Sequence, residues 1–436
     1  MSAVTKISEG IYAAGNSVGV FKNTEKPTVV KDESNENDIV SWGDSNKYPQ
    51  EFLEALRKNG AANGALKILK ATHFGEGLTL YKDDFQEGKK NHTLVDIKDF
   101  PEINSFFKQN KINRFFFETI TDLELWDFAL PEFIVSNDYK KIVRIKRQRS
   151  AWARFKPMGK DGLISTAYLK PDWEDDSIEK DTPKLNLVDP YWSVEEIRDY
   201  LKEKNLKKFV IPTYMPMIDE VYYPKVGWHS SYHNGWFEVS NSVAELKKYI
   251  FNNQIHLKYI IHISEKYFEK YYKDEWDEYS IEKKESIRKK LVETINDHLM
   301  GNKAGGRSIT APKFLDDNGN YVKGIEVDVI DNKMKDGAHL PDAAAANSEI
   351  LFAMGVDPTL IGAGIPGGKL GAGSGSDKRE AFTILSGLFK SRRMVSLEIW
   401  DFIRDYNGWE SDLKASFPNI VLTTLDKNPT GNETKM

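Results

Sequence analysis

The stretch Gly355–Glu380, GVDPTLIGAGIPGGKLGAGSGSDKRE, decides how the rest of the chain is read. Seven of the fifteen residues from Gly362 to Ser376 are glycine, and a helical pattern follows directly. Such a segment is either a phosphate cradle, which would imply an enzyme, or a loop with another task. Gly362-Ala363-Gly364-Ile365-Pro366-Gly367 fits the G-x-G-x-x-G spacing of a dinucleotide loop. That chemistry needs a buried strand before the glycines and a helix immediately after them, so that backbone N–H groups meet the pyrophosphate. Here a helical pattern comes first, and the run Gly368–Ser376 separates the motif from the next helix. The P-loop spacing fails more directly. Ala363 stands where the first glycine belongs, and Leu370 follows Gly368-Lys369 where magnesium needs a Ser or Thr. The segment therefore reads as a mobile glycine loop.

The pattern on both sides of the loop is helical. Pro341 can open a helix through DAAAANSEILFAM, with Gly355 and Pro358 to terminate it. Beyond the loop, Asp377 and Glu380 cap a long helix with Ala381, Leu385, Leu388, Val395, Ile399 and Phe402 on one face, and FPNIVLTTL closes the fold as a strand. Upstream, Ser242 and Glu245 form a capping box for a helix carrying Val243, Leu246, Ile250 and Leu257. YIIHIS then reads as a strand, Ile287 to Leu299 as a helix closed by Gly301, and ITAPKFLDDNGNYVKGIEVDVI as a hairpin. Nearer the start, Pro49 begins a helix that Gly60 ends, a second helix runs from Ala61 to Thr72, and FGEGLTLY enters a strand. From Phe115 to Tyr168 the pattern turns towards strands, with a turn at Asn137-Asp138. A short helix at Val194–Lys204 is followed by a proline-broken, aromatic run of short strands.

Composition narrows the function classes. A chain of 436 residues with 40% apolar residues can bury a sizeable core in two or three units. It contains no cysteine, which excludes disulfides and thiolate chemistry and fits a reducing interior. No apolar run is long enough to span a bilayer, and the opening residues do not read as a signal peptide. With 61 basic against 66 acidic residues, any contact with nucleic acid is expected to be local or sliding. His229 and His233 have zinc-like spacing, but GWHSSYHNGW reads as non-helical and Ser230 occupies the position of a catalytic glutamate. The basic run Lys140, Lys141, Arg144, Lys146, Arg147, Arg149, Arg154 and Lys156 reads as a half-exposed strand, with Arg144 and Lys146 opposite Val143 and Ile145. Acidic residues between Asp172 and Asp181 offer partners for it, in the same chain or a neighbour. No acid–base arrangement points to an enzyme.

Three segments in order resemble the portal proteins of tailed double-stranded DNA bacteriophages. They are WGDSNKYPQEFLEAL with GEGL after it, the Ser242 helix with its inserted helix-and-hairpin unit, and SEILFAMGVDPTLIGAG…GSGSDKREAFTILSGLF. The last is the most specific, since portal relatives run a helix through a Gly-Val-(Asp/Pro)-Pro-x-Leu-Leu/Ile-Gly turn into a variable loop and a long helix. The resemblance runs from residue 40 to 425, firmly after 240 and loosely before it.

The resemblance implies an α+β portal architecture: a flexible arm (1–38), wing (39–240), first stem helix (241–257), clip (258–335), second stem helix (336–355), tunnel loop (356–376), long helix with a C-terminal wing strand (377–425) and tail (426–436). A crown would be small or missing. It also implies a ring of about twelve copies at one capsid vertex, through which DNA is packaged and ejected without sequence specificity. Expected partners are the terminase large subunit, head-completion and neck proteins and the major capsid protein, in a virion assembled in the host bacterial cytoplasm. No cofactor, metal, membrane or catalytic residue is implied. Gly362, Gly364, Gly367, Gly368, Lys369, Gly371, Gly373, Lys378 and Arg379 would face DNA, and Leu246, Ile250, Ala343, Ala346 and Ile350 would pack the stem. The alternatives are another head-assembly connector and a nucleotide-binding enzyme using the glycine loop.

Overall fold

The computed structural model describes residues 3–8, 11–15, 38–86, 89–173, 177–216, 218, 220–254, 259–300, 313–315, 319–329, 339–362, 375–422 and 432–435. The fold is α+β. It divides into two compact units, Met1–Asn241 with Leu340–Met436, and Ser242–His339. No helix among the described residues is long and apolar enough to cross a membrane.

The larger unit opens with an antiparallel pair, β1 (Ala3–Ser8) and β2 (Ile11–Gly15). Helix α1 (Tyr48–Lys58) starts at Pro49, whose missing N–H costs nothing there, and buries Phe52 and Leu56. It ends at Asn59, whose side chain accepts from the Ala62 N–H at 2.9 Å and caps α2 (Gly60–Phe74). Gly60 therefore opens the second helix instead of closing the first. β3 (Thr79–Gln86) and β4 (Lys89–Leu94) form a hairpin, followed by α3 (Pro101–Asn110) and α4 (Ile112–Trp126). The strand expectation for Phe115 onwards fails over α4. Ile112, Phe115, Phe116, Thr119, Ile120 and Leu123 recur at helical spacing and are all buried, so aromatic and β-branched content gives way to periodicity.

β5 (Phe128–Val135) pairs with β6 (Ile142–Gln148) across the Asn137-Asp138 turn. Their register shifts where Ile134 faces Arg144 and Val135 faces Ile142, leaving Val143 as an unpaired bulge residue. Strict alternation therefore breaks: Ile142 and Ile145 are buried, and Val143 faces out. β7 (Ala153–Phe155), β8 (Thr166–Leu169) and β9 (Lys184–Asn186) form a separate sheet. Helix α5 (Val194–Glu203) carries a complete capping box from Ser193 and Glu196. Short strands β10 (Lys208–Val210) and β11 (Thr213–Tyr214) pair with successive parts of β5. The residues expected as strands beyond them fold instead as α6 (Ser230–His233) and the start of α7 (Trp236–Gln254). Since α7 begins at Trp236, Ser242 is interior to it and is not its cap.

The smaller unit pairs β12 (Tyr259–Ile263) with a later strand and then runs α8 (Glu265–Tyr272), α9 (Asp274–Glu278) and α10 (Ile281–Met300). The hairpin β13 (Lys313–Leu315) and β14 (Tyr321–Lys323) follows, and β15 (Ile325–Val329) is the partner of β12. Its core is small: Phe268 and Trp276 stack at 4.8 Å, and on the surface Arg288 bonds Glu265 at 2.6 Å.

The chain re-enters the larger unit with α11 (Leu340–Ala353), α12 (Pro358–Ile361) and α13 (Gly375–Asn407). β16 (Leu413–Ser416) completes a three-stranded sheet on β3, and β17 (Asn419–Leu422) pairs with β18 (Asn432–Lys435). Helix α13 bridges two apolar cores. Leu385 and Phe389 enter the core of Trp42, Phe52, Trp126 and Phe128, whereas Ile399, Trp400 and Ile403 enter that of Phe116, Phe133 and Phe209. Leu388, expected on the apolar face, is 66% exposed, and Phe389 points inward in its place.

Candidate functional site

The approach to the glycine segment is built by GVDPT. At Gly355 the backbone takes φ +64°, the left-handed region in which a Cβ is strained. The Val356 N–H then reaches the Leu351 carbonyl at 3.1 Å and the Gly355 N–H reaches Phe352 at 3.0 Å, which closes α11 in a Schellman arrangement. Asp357 restarts the chain, accepting from the Thr359 N–H at 2.8 Å as the cap of α12, with Pro358 in the first turn. Pro358 thus opens a helix as well as excluding the earlier one. α12 ends at Gly362, again left-handed at φ +69°. Gly364, Gly367, Gly368, Lys369, Gly371 and Gly373 lie outside the described residues. On the far side, Lys378 is exposed and Arg379 half-buried in the first turn of α13. There the helix N-terminus adds its own positive end.

About four turns further along, α13 is fixed by a buried polar cluster that the sequence reading did not identify. The His73 Nδ1 lies 2.6 Å from Glu124 Oε1, and its Nε2 lies 2.7 Å from Ser396 Oγ. The ionised carboxylate can only accept, so Nδ1–H donates to it and Nε2 accepts from the serine hydroxyl. Arg392 donates to Glu124 at 2.7 Å, to Asp127 at 2.6 Å and to the Leu123 carbonyl at 2.9 Å. Arg393 donates to the His73 carbonyl at 3.0 Å and bonds Thr72 and Asn419. Burial holds the His73 imidazole below its ordinary value, against the pull of Glu124. Burial pushes the Glu124 carboxyl up, and the His73 and Arg392 contacts more than offset that, so its net displacement is downward.

Serine, histidine and glutamate stand here in the order of a hydrolytic triad. Ser396 and His73 are nevertheless fully buried and Glu124 nearly so, so no substrate reaches the hydroxyl. The cluster is an anchor that ties α13 to α2 and α4. A signal for it was present: two adjacent arginines and a histidine fall on otherwise apolar helix faces, between Phe389 and Val395 and between Leu69 and Phe74.

The other sequence candidates are structural. His229 and His233 do lie on helical turns, contrary to expectation, but both converge on the Tyr48 hydroxyl, at 2.8 Å and 3.3 Å. Burial, and then His233, pushes His229 well below its ordinary value. Members of the basic run find partners other than the acidic stretch at Asp172–Asp181. Arg147 forks onto buried Asp122, Lys141 bonds Glu102 at 2.9 Å, and Arg149 lies 4.3 Å over the Trp152 ring. Arg154 is fully buried between the Trp42 and Trp173 rings and bonds the Asn46 carbonyl at 2.6 Å. Of the residues expected to pack a stem, Ala346 and Ile350 are buried and Ala343 half-buried on α11, where Asn347 meets Ser240 of α7 at 2.9 Å. Leu246 is half-buried on the stretch of α7 in the smaller unit, and the Ile250 side chain lies outside the described residues.

No protein-family model matches the chain, and no curated protein matches it. Solved structures share its fold. A chain from the neck of an empty GTA (gene transfer agent) particle, computed with C6 symmetry, superposes with a TM-score of 0.56 at 17% identity, covering 90% of this chain and 87% of that one. A chain from the neck of the native particle, computed with C12 symmetry, gives 0.54 at 15% identity over 87% and 85%. One from the virion of the native gene transfer agent particle gives 0.53 at 16% identity over the same shares.

Proposed function

We infer that this chain is the portal subunit of a phage-like particle, forming with other copies a ring-shaped channel for DNA at one vertex. One observation carries the reading: about nine-tenths of the chain follows the fold of particle-neck chains whose assemblies were computed with C6 and C12 symmetry. The insertion of a separate unit, which begins within α7 and ends where α11 starts, supports a portal over another head-assembly connector. The role is structural. A nucleotide-binding enzyme is disfavoured because helix α12, not a buried strand, leads into the glycines.

On this reading residues 39–240 with the C-terminal part of α13 make the wing, α7 and α11 the stem, and residues 258–335 the clip that meets the terminase motor and neck proteins. The segment 356–376 faces DNA, with Lys369, Lys378 and Arg379 as its cations. A channel that passes any sequence must avoid a firm grip, because each phosphate neutralised strengthens binding and resists sliding. A net charge of −5 with sparse cations at the loop suits that task. Negative-stain images of the purified full chain test the proposal. Rings with a central hole are expected, and a monodisperse monomer at milligram concentration overturns it.

A further inference from the structure

The outer face of α13 has no counterpart within the described chain. Ile384, Leu388 and Met394 are 67%, 66% and 66% exposed. Gly387 and Ser391 lie between them and are also exposed. At 3.6 residues per turn these five positions fall within an arc of roughly 120°, on the side away from Leu385, Phe389 and Ser396. A polar solvent-facing helix would not place three large apolar side chains there. Gly387 is the second anomaly. It sits in the middle of a 33-residue helix, where glycine weakens the helix, and a Cβ built on it meets nothing within 4 Å. Nothing among the described residues requires glycine at this position. Gly387 and Ser391, four residues apart, instead form a notch that admits another side chain or helix close to the α13 backbone.

A matching projection stands on α11. Asp342, Ala345, Glu349 and Phe352 share its outer face, opposite buried Ile350 and Met354, and Phe352 is 84% exposed. Glu349 lies one turn from Phe352, while exposed Lys390 flanks the α13 stripe. Phe352 is thus an exposed apolar projection and the notch an open seat, with Glu349 and Lys390 as one pair of opposite charges beside them.

We propose that the Ile384–Met394 stripe of α13 is the face on which a second copy of this chain docks, with Phe352 of the neighbour entering the Gly387–Ser391 notch. The contact joins different faces of the two copies, so it is head-to-tail and closes a ring when the rotation permits. This rests on the ring reading above and deepens it by naming the contact surface.

The test uses the full chain by multi-angle light scattering, with Leu388→Glu, Leu388→Met and a remote control, Tyr191→Glu, at a residue 94% exposed. Wild type, Leu388→Met and Tyr191→Glu are expected as rings. Leu388→Glu is expected at the mass of a single chain, with unchanged circular dichroism because the side chain is solvent-exposed within the subunit. A second measurement does not depend on that variant folding. The chain has no cysteine, so in a mixture of a copy carrying Phe352→Cys and a tagged copy carrying Leu388→Cys every disulfide joins introduced thiols, and the tag separates the mixed dimer from like pairs. A mixed dimer on oxidation is expected. Rings from Leu388→Glu together with no mixed dimer overturn the inference while leaving the ring reading intact. Monomeric Leu388→Glu without the mixed dimer overturns the part assigned to Phe352. A monomeric wild type overturns both.

Discussion

At pH 7 the imidazole of His73 is neutral between Glu124 and Ser396, and that of His229 is neutral beneath Tyr48. Both are held below the ordinary value of 6.5, so the unfolded chain takes up protons near that pH while the folded chain does not. Stability is therefore full above pH 6.5 and falls as the pH drops below it, by at most about 1.4 kcal/mol per pH unit for each histidine. Chemical denaturation between pH 7.5 and 5.5 should show this slope, and His229→Gln should reduce it. Glu124, displaced below its ordinary 4.5, adds a further loss only in more acid solution. Arg154 makes a different case. Its guanidinium is wholly enclosed and bonds the Asn46, Ala151 and Ala153 carbonyls. Arg154→Ala leaves those acceptors without partners beside an aromatic cavity, with an expected cost of about 3–5 kcal/mol in urea denaturation. A change below 1 kcal/mol would show that water replaces the side chain.

Two glycines in helical surroundings separate backbone need from surface need. Gly355 is left-handed at the end of α11, so Gly355→Ala should destabilise the subunit by about 1–2 kcal/mol. Gly387 has ordinary helical geometry and open space around a virtual Cβ, so Gly387→Ala should raise the melting temperature of the isolated subunit, a gain of up to about 1 kcal/mol. Equal effects at the two positions would contradict the backbone argument. For the loop they bracket, deleting Gly364–Gly373 should leave assembly intact while packaging or retention of DNA falls. Lys369→Ala should lower the salt slope of DNA binding by only about 1, since it removes a single phosphate contact. Titration with ATP should show no saturable heat, and micromolar binding lost in Lys369→Ala would return the phosphate-cradle reading.

The smaller unit has its own paired strands and its own aromatic core around Phe268 and Trp276. Replacing residues 258–335 with a short Gly-Ser linker should therefore leave the larger unit folded, with circular dichroism and cooperative melting as the readout. On the portal reading, binding of the packaging motor should be lost in the same variant. A variant that still binds the motor would move the docking surface into the larger unit. A failure of the larger unit to fold would show that the two units depend on each other for stability.

Sequence alone determined what depends on near neighbours. The end of α11 at Gly355, the short helix near Val194–Lys204 and the Asn137-Asp138 turn all rest on residues a few positions apart. The order of segments around the glycine loop carried the resemblance, and about nine-tenths of the chain shares its fold with a particle-neck chain. Tertiary structure decided what depends on distant partners. Whether Arg147 and Arg154 meet solvent or Asp122 and Asn46 is set by strands and helices brought together from elsewhere, and a basic run reads the same in either case. The β6 bulge, invisible in an alternating pattern, is imposed by pairing with β5. His73 lies 51 positions from Glu124 and 323 from Ser396 along the chain. Only the packing of α2, α4 and α13 brings them within hydrogen-bond range, where each partner offsets the cost of burying the others' polar atoms.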